Sequence, residues 1–557
     1  MVPMLSSRPS WICSALLVAL TWFVPPLAAQ VPDTNGGTAV PPIEKIEDIR
    51  RQAREAEQRG DWLKACWRYD EILRRDRTNK EAREAYHRCL RRHQITVRHN
   101  DRGYRDALGS LAPSQALDVY EQVLSVVRPA YVDRRKSDLA TLFKHGLTEL
   151  RYALDDEAFL REHLPSTARE AIQEFRARLR EWTERALSST ADAREQVNAV
   201  LRAAYRSGLP DRPNFAVVVA LEFASGACSG LDEYTLFFNP SHFGDLMATW
   251  RGKYAGIGAD LEVGMDGLLA IARVYPSSPA EEAKLLPGMR IVRIDQLATE
   301  GLPAYYAAER LRGEVGTVVE LGILLENQTE AAVRLVRRPV AIGTVVSDLL
   351  RIDSMNEMSD LIGYLRIASF QESTVQEVRE ALVQMQTMGI KGLILDLRGN
   401  PGGSFKSAVQ ASELFLPEGA LIVETTGTVQ EFRKPFRVGA MNPFALPMVV
   451  LVDGDTASAA EVMAGGLKEQ GRARLLGQTT FGKGTIQVLI PLDKAPLQKT
   501  PGGIRITVAK FYWPGRSPDG GRGIVPHDVV GPDTEALINA ARQHLRTAVG
   551  MMMMPKQ

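Results

Sequence analysis

The residues best placed to do chemistry lie late in the chain, where a buried strand gives way to a helix. Pro447-Met448-Val449-Val450-Leu451-Val452 is an unbroken apolar run that reads as a core strand. Asp453-Gly454-Asp455-Thr456 turns, and Ser458 precedes the helical pattern Ala459-Ala460-Glu461-Val462-Met463-Ala464. Ser458 therefore falls at the first turn of a helix. Backbone N–H groups there have no intrahelical acceptor and form the positive end of the helix dipole. A hydroxyl beside such donors suits acyl transfer, because the donors can hold the oxyanion that develops. The competing reading is an ordinary N-cap, the common use of serine at that position. Further on, Lys483 stands between Gly482 and Gly484 at the mouth of the strand Thr485-Ile486-Gln487-Val488-Leu489. In an extended chain Lys483, Thr485 and Gln487 project to one face, so Gln487 can steady the lysine. Burial favours the neutral amine and would make Lys483 a base for Ser458. A solvated lysine is the alternative for Lys483 taken alone.

Thr456-Ala457-Ser458-Ala459-Ala460-Glu461 and Phe481-Gly482-Lys483-Gly484 with Gln487 resemble the C-terminal processing (tail-specific) peptidase family. Asp396-Leu397-Arg398-Gly399-Asn400-Pro401-Gly402-Gly403 matches the glycine-rich strand-end motif of that family. Asp232-Glu233-Tyr234-Thr235 resembles its turn ahead of a PDZ domain. The resemblance implies a serine endopeptidase with Ser458 as nucleophile, Lys483 as general base and Gln487 orienting the lysine. It also implies a crotonase-like α/β core and an oxyanion hole built from the N–H of Ala459 and of a glycine at Gly402-Gly403, with Gly403 favoured. Asp455 stands where the family usually has glycine, and Ala460 where it has a second serine. Neither departure removes a catalytic group, but Asp455 adds a charge near the nucleophile.

The elements that must position these residues form a multidomain α+β chain. Residues 339–550 alternate strands and helices, as an α/β peptidase core does. Residues 246–338 are richer in short β runs and resemble a PDZ domain. There, Gly256-Ile257-Gly258 would present N–H groups to a peptide carboxylate, and the strand after it would pair with the peptide. Residues 107–245 are mainly helical. Residues 44–106 carry a Gly60-Asp61-Trp62…Ala65…Tyr69 pattern like a tetratricopeptide helix pair, with a plain helical hairpin as the alternative. This segment lies outside the family resemblance. It is expected to dock an adaptor, drive self-association or act as a spacer. Residues 551–557 read as a tail.

Composition narrows the partners. The 557 residues carry 68 Lys+Arg against 67 Asp+Glu, so no global field draws the chain to nucleic acid. Residues 1–29 read as an export signal, with Arg8, an apolar run from Trp11 and Leu27-Ala28-Ala29 before the break. That places the protein in the periplasm or cell envelope, with an uncleaved N-terminal anchor as the alternative. Residues 30–43 read as a linker. Beyond Cys13, the remaining Cys66, Cys89 and Cys228 allow at most one disulfide. Cys66 and Cys89 lie either side of a turn near Arg77-Thr78, where a disulfide or two buried thiols would fit. No HExxH or Cys/His cluster suggests a metal, and no cofactor is expected. His527 reads as a turn residue. Two other functions are weighed against the protease: a catalytically silent PDZ/helical-repeat scaffold, and an acyl-CoA enzyme suggested by the shared fold alone.

Overall fold

Three helices open the described chain: α1 (Ile46–Gln58), α2 (Trp62–Arg75) and α3 (Lys80–Asn100). Gly60, at φ +72°, turns α1 into α2. Asp61 and Asn79 cap α2 and α3 by accepting from Lys64 N–H at 3.2 Å and Ala82 N–H at 3.0 Å. The three helices share a small core of their own that includes Ile49, Ala53, Tyr69 and Ile72. Cys66 and Cys89 are buried and free, so the two-thiol reading applies and no disulfide joins them. The Cys89 thiol donates to Glu57 Oε1 at 3.0 Å. This computed structural model describes residues 45–553 except 167, 211–212, 240–241, 244–245, 248–252, 264–267, 300–303, 314, 326–328, 342, 353–359, 441, 493–501 and 515–521. The export signal at 1–29 and linker at 30–43 lie outside the described residues.

Seven more helices follow: α4 (Arg102–Gly109), α5 (Pro113–Ala130), α6 (Leu139–Ala153), α7 (Glu157–His163), α8 (Arg169–Arg178), α9 (Thr190–Arg206) and α10 (Pro213–Ser229). From Phe215 to Cys228, α10 is buried on every face, as a helix apolar all round must be. Charges buried with it are paired: Arg98 meets Glu222 at 2.6 Å and Glu149 at 3.4 Å, and Arg91 meets Glu149 at 2.7 Å. These pairs tie α3 to α6 and α10. Past α10, Asp232 Oδ1 accepts from the N–H groups of Tyr234 and Thr235 at 2.9 and 2.7 Å, an Asx turn leading into β1 (Leu236–Phe238).

The chain then makes a β unit with its own core, which includes Ile257, Leu261, Ile291 and Leu321. Its elements are β2 (Lys253–Gly256), β3 (Ala259–Val263), β4 (Leu269–Val274), α11 (Pro279–Glu282), β5 (Arg290–Ile294), β6 (Leu297–Ala298), α12 (Ala304–Leu311), β7 (Val318–Leu324), β8 (Glu330–Val336) and β9 (Arg338–Ala341). The sheet order is β3-β4-β5-β7-β8, antiparallel throughout, with β3 at one edge. β2 and β9 pair antiparallel where the chain enters and leaves the unit.

Two sheets make up the rest. Their elements are β10 (Val345–Ile352), β11 (Asp360–Ile367), α13 (Thr374–Thr387), β12 (Gly392–Asp396), α14 (Phe405–Glu413), β13 (Leu421–Gly427), β14 (Pro435–Arg437), β15 (Met448–Val452), α15 (Ala459–Glu469), β16 (Arg474–Gly477), β17 (Thr485–Pro491), β18 (Gly503–Tyr512), β19 (Asp528–Val529) and α16 (Thr534–Met553). One sheet runs β10-β11-β12-β15-β16-β19 and is parallel from β11 onward. Its central strands β12 and β15 are buried at every residue, which is why they read as unbroken apolar runs. The other runs β1-β18-β13-β14, with β17 also on β18. These sheets share one apolar core with α5, α6, α9 and α10. α13 starts at Thr374, with Ser373 at its cap position. α16 continues through Met551–Met553, where a tail is expected, because methionine is a good helix former and Pro555 comes only later. Among the described residues no helix is long and apolar enough to cross a membrane.

Replacing Glu222 by alanine takes from the buried Arg98 its nearer carboxylate and leaves it only Glu149, at 3.4 Å. The expected loss is about 3–5 kcal/mol of folding stability, read as a fall in the urea midpoint.

Candidate active site

β12 and β15 run side by side, with Leu393 opposite Met448 and Asp396 opposite Leu451, so the turns at their C-terminal ends meet. Polar groups lock those turns together. The Asp453 carboxylate accepts from the N–H groups of Gly399, Asp455 and Thr456 at 3.0, 3.0 and 2.9 Å. Ala457 N–H donates to Asn400 O at 2.9 Å. Beneath them Arg398 grips the buried Asp396 carboxylate at 2.7 Å, and Tyr364 Oη donates to it at 2.7 Å. The chain therefore has one path into α15, and Ser458 takes it at φ +54°, ψ −117°. A left-handed φ at a non-glycine residue costs roughly 1–3 kcal/mol and persists only where the surroundings enforce it. Ser458 occupies the N-cap position of α15.

Glu461 joins this turn to the lysine loop. Its buried carboxylate accepts four bonds. Oε2 takes the N–H of Ser458 at 2.9 Å and of Lys483 at 2.9 Å; Oε1 takes Gly482 N–H at 2.7 Å and Thr480 Oγ1 at 2.6 Å. Burial pushes the Glu461 carboxyl above its usual range, and the four donors oppose that rise. Sequence reading took Glu461 only as part of a motif. The Ser-x-x-Glu spacing is itself a capping-box signal, and it is the trace of this role that the sequence carried.

Lys483 lies just before β17, and its Nζ sits 4.4 Å from the Tyr234 ring centroid. Burial, aided by the nearby Arg505 guanidinium, pushes the Lys483 ammonium down to about 7, against the pull of Glu233, Asp232 and Glu461. Arg505 Nε donates to Tyr234 O at 2.9 Å, and burial pushes that guanidinium down to about 10. In the sequence Tyr234 is only part of a turn motif and Arg505 carries no signal; the fold, through β1 against β18, brings both to the lysine. Gln487 is close by, with its Nε2 donating to Thr485 Oγ1 at 2.9 Å and Thr507 Oγ1 at 3.2 Å.

The two glycines differ. Gly402 is buried, its N–H donates to Asn400 Oδ1 at 2.9 Å, and a Cβ there would stand 2.8 Å from Ser458 Cβ. Gly403 is exposed at φ +127°, and a Cβ there would stand 2.1 Å from Phe370 O. Phe370 bridges to this turn through Gly402 O and Ser404 N–H, leaving the Gly403 N–H out of the bridge. Ala459 opens α15, where an N–H has no intrahelical acceptor. Gly256, Ile257 and Gly258 lie far off in sequence within the β unit. There Ile257 is fully buried, and the carbonyls of Ile257 and Gly258 accept from Ala280 and Tyr275 N–H at 2.8 and 2.9 Å. His527 holds β16 in place, its Nδ1 accepting from Leu475 N–H at 2.9 Å. Among the described residues no group of three or more His, Cys, Asp or Glu side chains is arranged to hold a metal.

The sequence pattern of peptidase family S41 matches residues 361–530. A carboxyl-terminal-processing protease of Synechocystis is 36% identical over 305 residues, covering 54% of this chain and 68% of that one. The carboxy-terminal processing protease CtpA of Bacillus subtilis is 32% identical over 297 residues, covering 52% of this chain and 60% of that one. Among solved structures, a photosystem II D1 C-terminal processing protease is 24% identical. It covers 77% of this chain and 97% of its own, with a TM-score of 0.38.

Glu461→Gln places an amide NH₂ against backbone N–H donors that need an acceptor. The expected loss is about 1–3 kcal/mol of stability. Amide hydrogen exchange should also quicken at Gly482 and Lys483, and unchanged exchange there would show that the carboxylate does not hold the loop.

Proposed function

The chain belongs to peptidase family S41, the family of the carboxyl-terminal-processing proteases, and from that premise we propose an endopeptidase that cleaves proteins near their C-termini. Ser458 is its nucleophile, Lys483 its general base and Gln487 the residue that orients the lysine. The observation that carries this reading is the single Glu461 oxygen that accepts from both Ser458 and Lys483 N–H, so nucleophile and base stem from adjoining backbone.

The chemistry follows from the groups present. Above pH 7 Lys483 is largely the free amine. Ser458 Oγ attacks the scissile carbonyl as Lys483 Nζ takes the hydroxyl proton. The carbonyl oxygen becomes an oxyanion held by the N–H groups of Gly403 and Ala459. Gly402 is the weaker candidate for this role because its N–H already serves Asn400. Collapse breaks the C–N bond, and the leaving amine takes the proton from Lys483. Water, giving its proton to Lys483, then attacks the Ser458 ester; collapse breaks the C–O bond, Ser458 Oγ takes the proton back from Lys483, and the new carboxylate leaves. Such Ser-Lys pairs are a variant of the Ser-His-Asp logic.

The β unit acts as a PDZ domain that reads substrate tails, with Gly256, Ile257 and Gly258 as its carboxylate loop. The edge position of β3, packed beside α12, supports this, because an extended peptide can add to an open edge strand. The two-sheet unit around Ser458 acts as the crotonase-like core. Residues 1–29 direct export to the periplasm or envelope. The outer face of residues 44–106 serves adaptor docking or self-association. A silent scaffold would have no use for a strained serine beside a lysine held near neutrality.

The test is cleavage of a folded reporter with an apolar, uncharged C-terminal tail. Ser458→Ala and Lys483→Ala should each lose at least about 10³-fold in kcat/KM. In the unaltered chain kcat/KM should rise tenfold per pH unit below about 7 and level off above it, because the amine must be unprotonated to act. A serine-independent cleavage would refute the assignment.

A further inference from the structure

The helical hairpin that precedes the peptidase touches the nucleophile turn, the lysine loop and the end of the helix before the Tyr234 turn. Arg74, in the last turn of α2, donates from Nε to Asp70 Oδ2 at 2.8 Å and from a terminal nitrogen to Asp455 Oδ1 at 2.9 Å. Asp455 lies in the turn that sets Ser458, and its own N–H is held by Asp453. The Arg74 and Asp455 side chains are only 29% and 33% exposed, so the pair is better shielded than a surface ion pair. Arg77, just past α2, places its guanidinium carbon 4.9 Å from the centroid of the Phe481 ring. Phe481 lies in the lysine loop, and its N–H donates to Thr456 O at 2.9 Å, closing that loop onto the nucleophile turn. On α3, His87 Nε2 stands 2.7 Å from Ser229 O, at the end of the helix that leads into the Tyr234 turn.

From these contacts we propose that Arg74 and Arg77 are positioning residues of the catalytic centre: the tip of α2 clamps the nucleophile turn and the lysine loop from outside, opposite Glu461, which holds them from within. This deepens the Ser458–Lys483 reading and rests on it. The contacts fall on Asp455 and Phe481, neighbours of the reacting groups. A plug that silenced the site would occupy the Ser458 hydroxyl or the N–H groups of Gly403 and Ala459, and the arginines do neither. Arg74 also meets the one acidic departure from the family pattern, Asp455, across 381 residues of sequence. A charge placed at that turn thus has its partner in the segment that the family match at 361–530 does not reach.

The test uses the full chain with Arg74→Asp, Asp455→Arg, the double charge swap, Arg77→Gln and Arg77→Lys. Two readouts are taken: kcat and KM on the tailed reporter, and amide exchange at residues 454–458 and 481–483. Each single charge reversal and Arg77→Gln should lower kcat at least tenfold with KM within about twofold, and should quicken exchange in both loops. The double swap should restore kcat to within about threefold, and Arg77→Lys should outperform Arg77→Gln. Unchanged kcat in the single variants would overturn the proposal. Raised kcat would also overturn it, since the hairpin would then be a cover. If the unaltered chain does not cleave, the Ser458–Lys483 reading fails and exchange alone decides. Faster exchange in the reversals, reversed by the swap, upholds the clamp, and unchanged exchange overturns it.

Discussion

A buried carboxylate with four donors is the constraint on which the site depends. Glu461 is removed from water, and that is tolerable only while its lone pairs are engaged. The donors come from the helix entrance and from the lysine loop, so neither can move without stranding the charge. Ser458 can therefore hold a backbone conformation that it would abandon in a free chain. The loop's own scaffold extends outward from the same point. Thr480 Oγ1, donating to Glu461, accepts from Ile524 N–H at 2.7 Å, which fixes the chain after the last long strand.

Electrostatics around the lysine follow from placement rather than from a partner of opposite charge. Lys483 is shielded from water and faces the Tyr234 ring, while the Arg505 guanidinium stays within electrostatic reach. Desolvation and a like charge both favour the neutral amine. Three carboxylates pull the other way without prevailing. The outcome is a base poised near neutrality, the condition under which proton transfer both ways is most effective.

Much of this was legible in sequence because it is local. The run Met448–Val452, the turn and the alanine-rich helix follow one another directly, so the serine's place at a helix entrance needed no tertiary knowledge. A lysine between two glycines before a β-branched run was equally plain. The remainder depends on pairings between distant segments. The choice between Gly402 and Gly403 turns on the Asn400 side chain, and the lysine's surroundings come from positions 234 and 505. The φ of Ser458 has no sequence signature, since glycine is the residue that usually announces a positive value. Arg74 and Arg77 carry no signal of this role, because nothing nearby in the chain reveals the acidic and aromatic surfaces that meet them.

The antiparallel pairing of β2 with β9 has a consequence for how the molecule can change over time. Because chain entry and exit lie side by side, the core sees the whole β unit as the closure of one short gap, whatever its internal length. The unit also fills its own interior without borrowing apolar residues from its host. Residues 257–337 can thus be rewritten or lengthened like a surface loop, while the turns around Ser458 keep their register. Change in the β unit and constancy around Ser458 can coexist within one polypeptide.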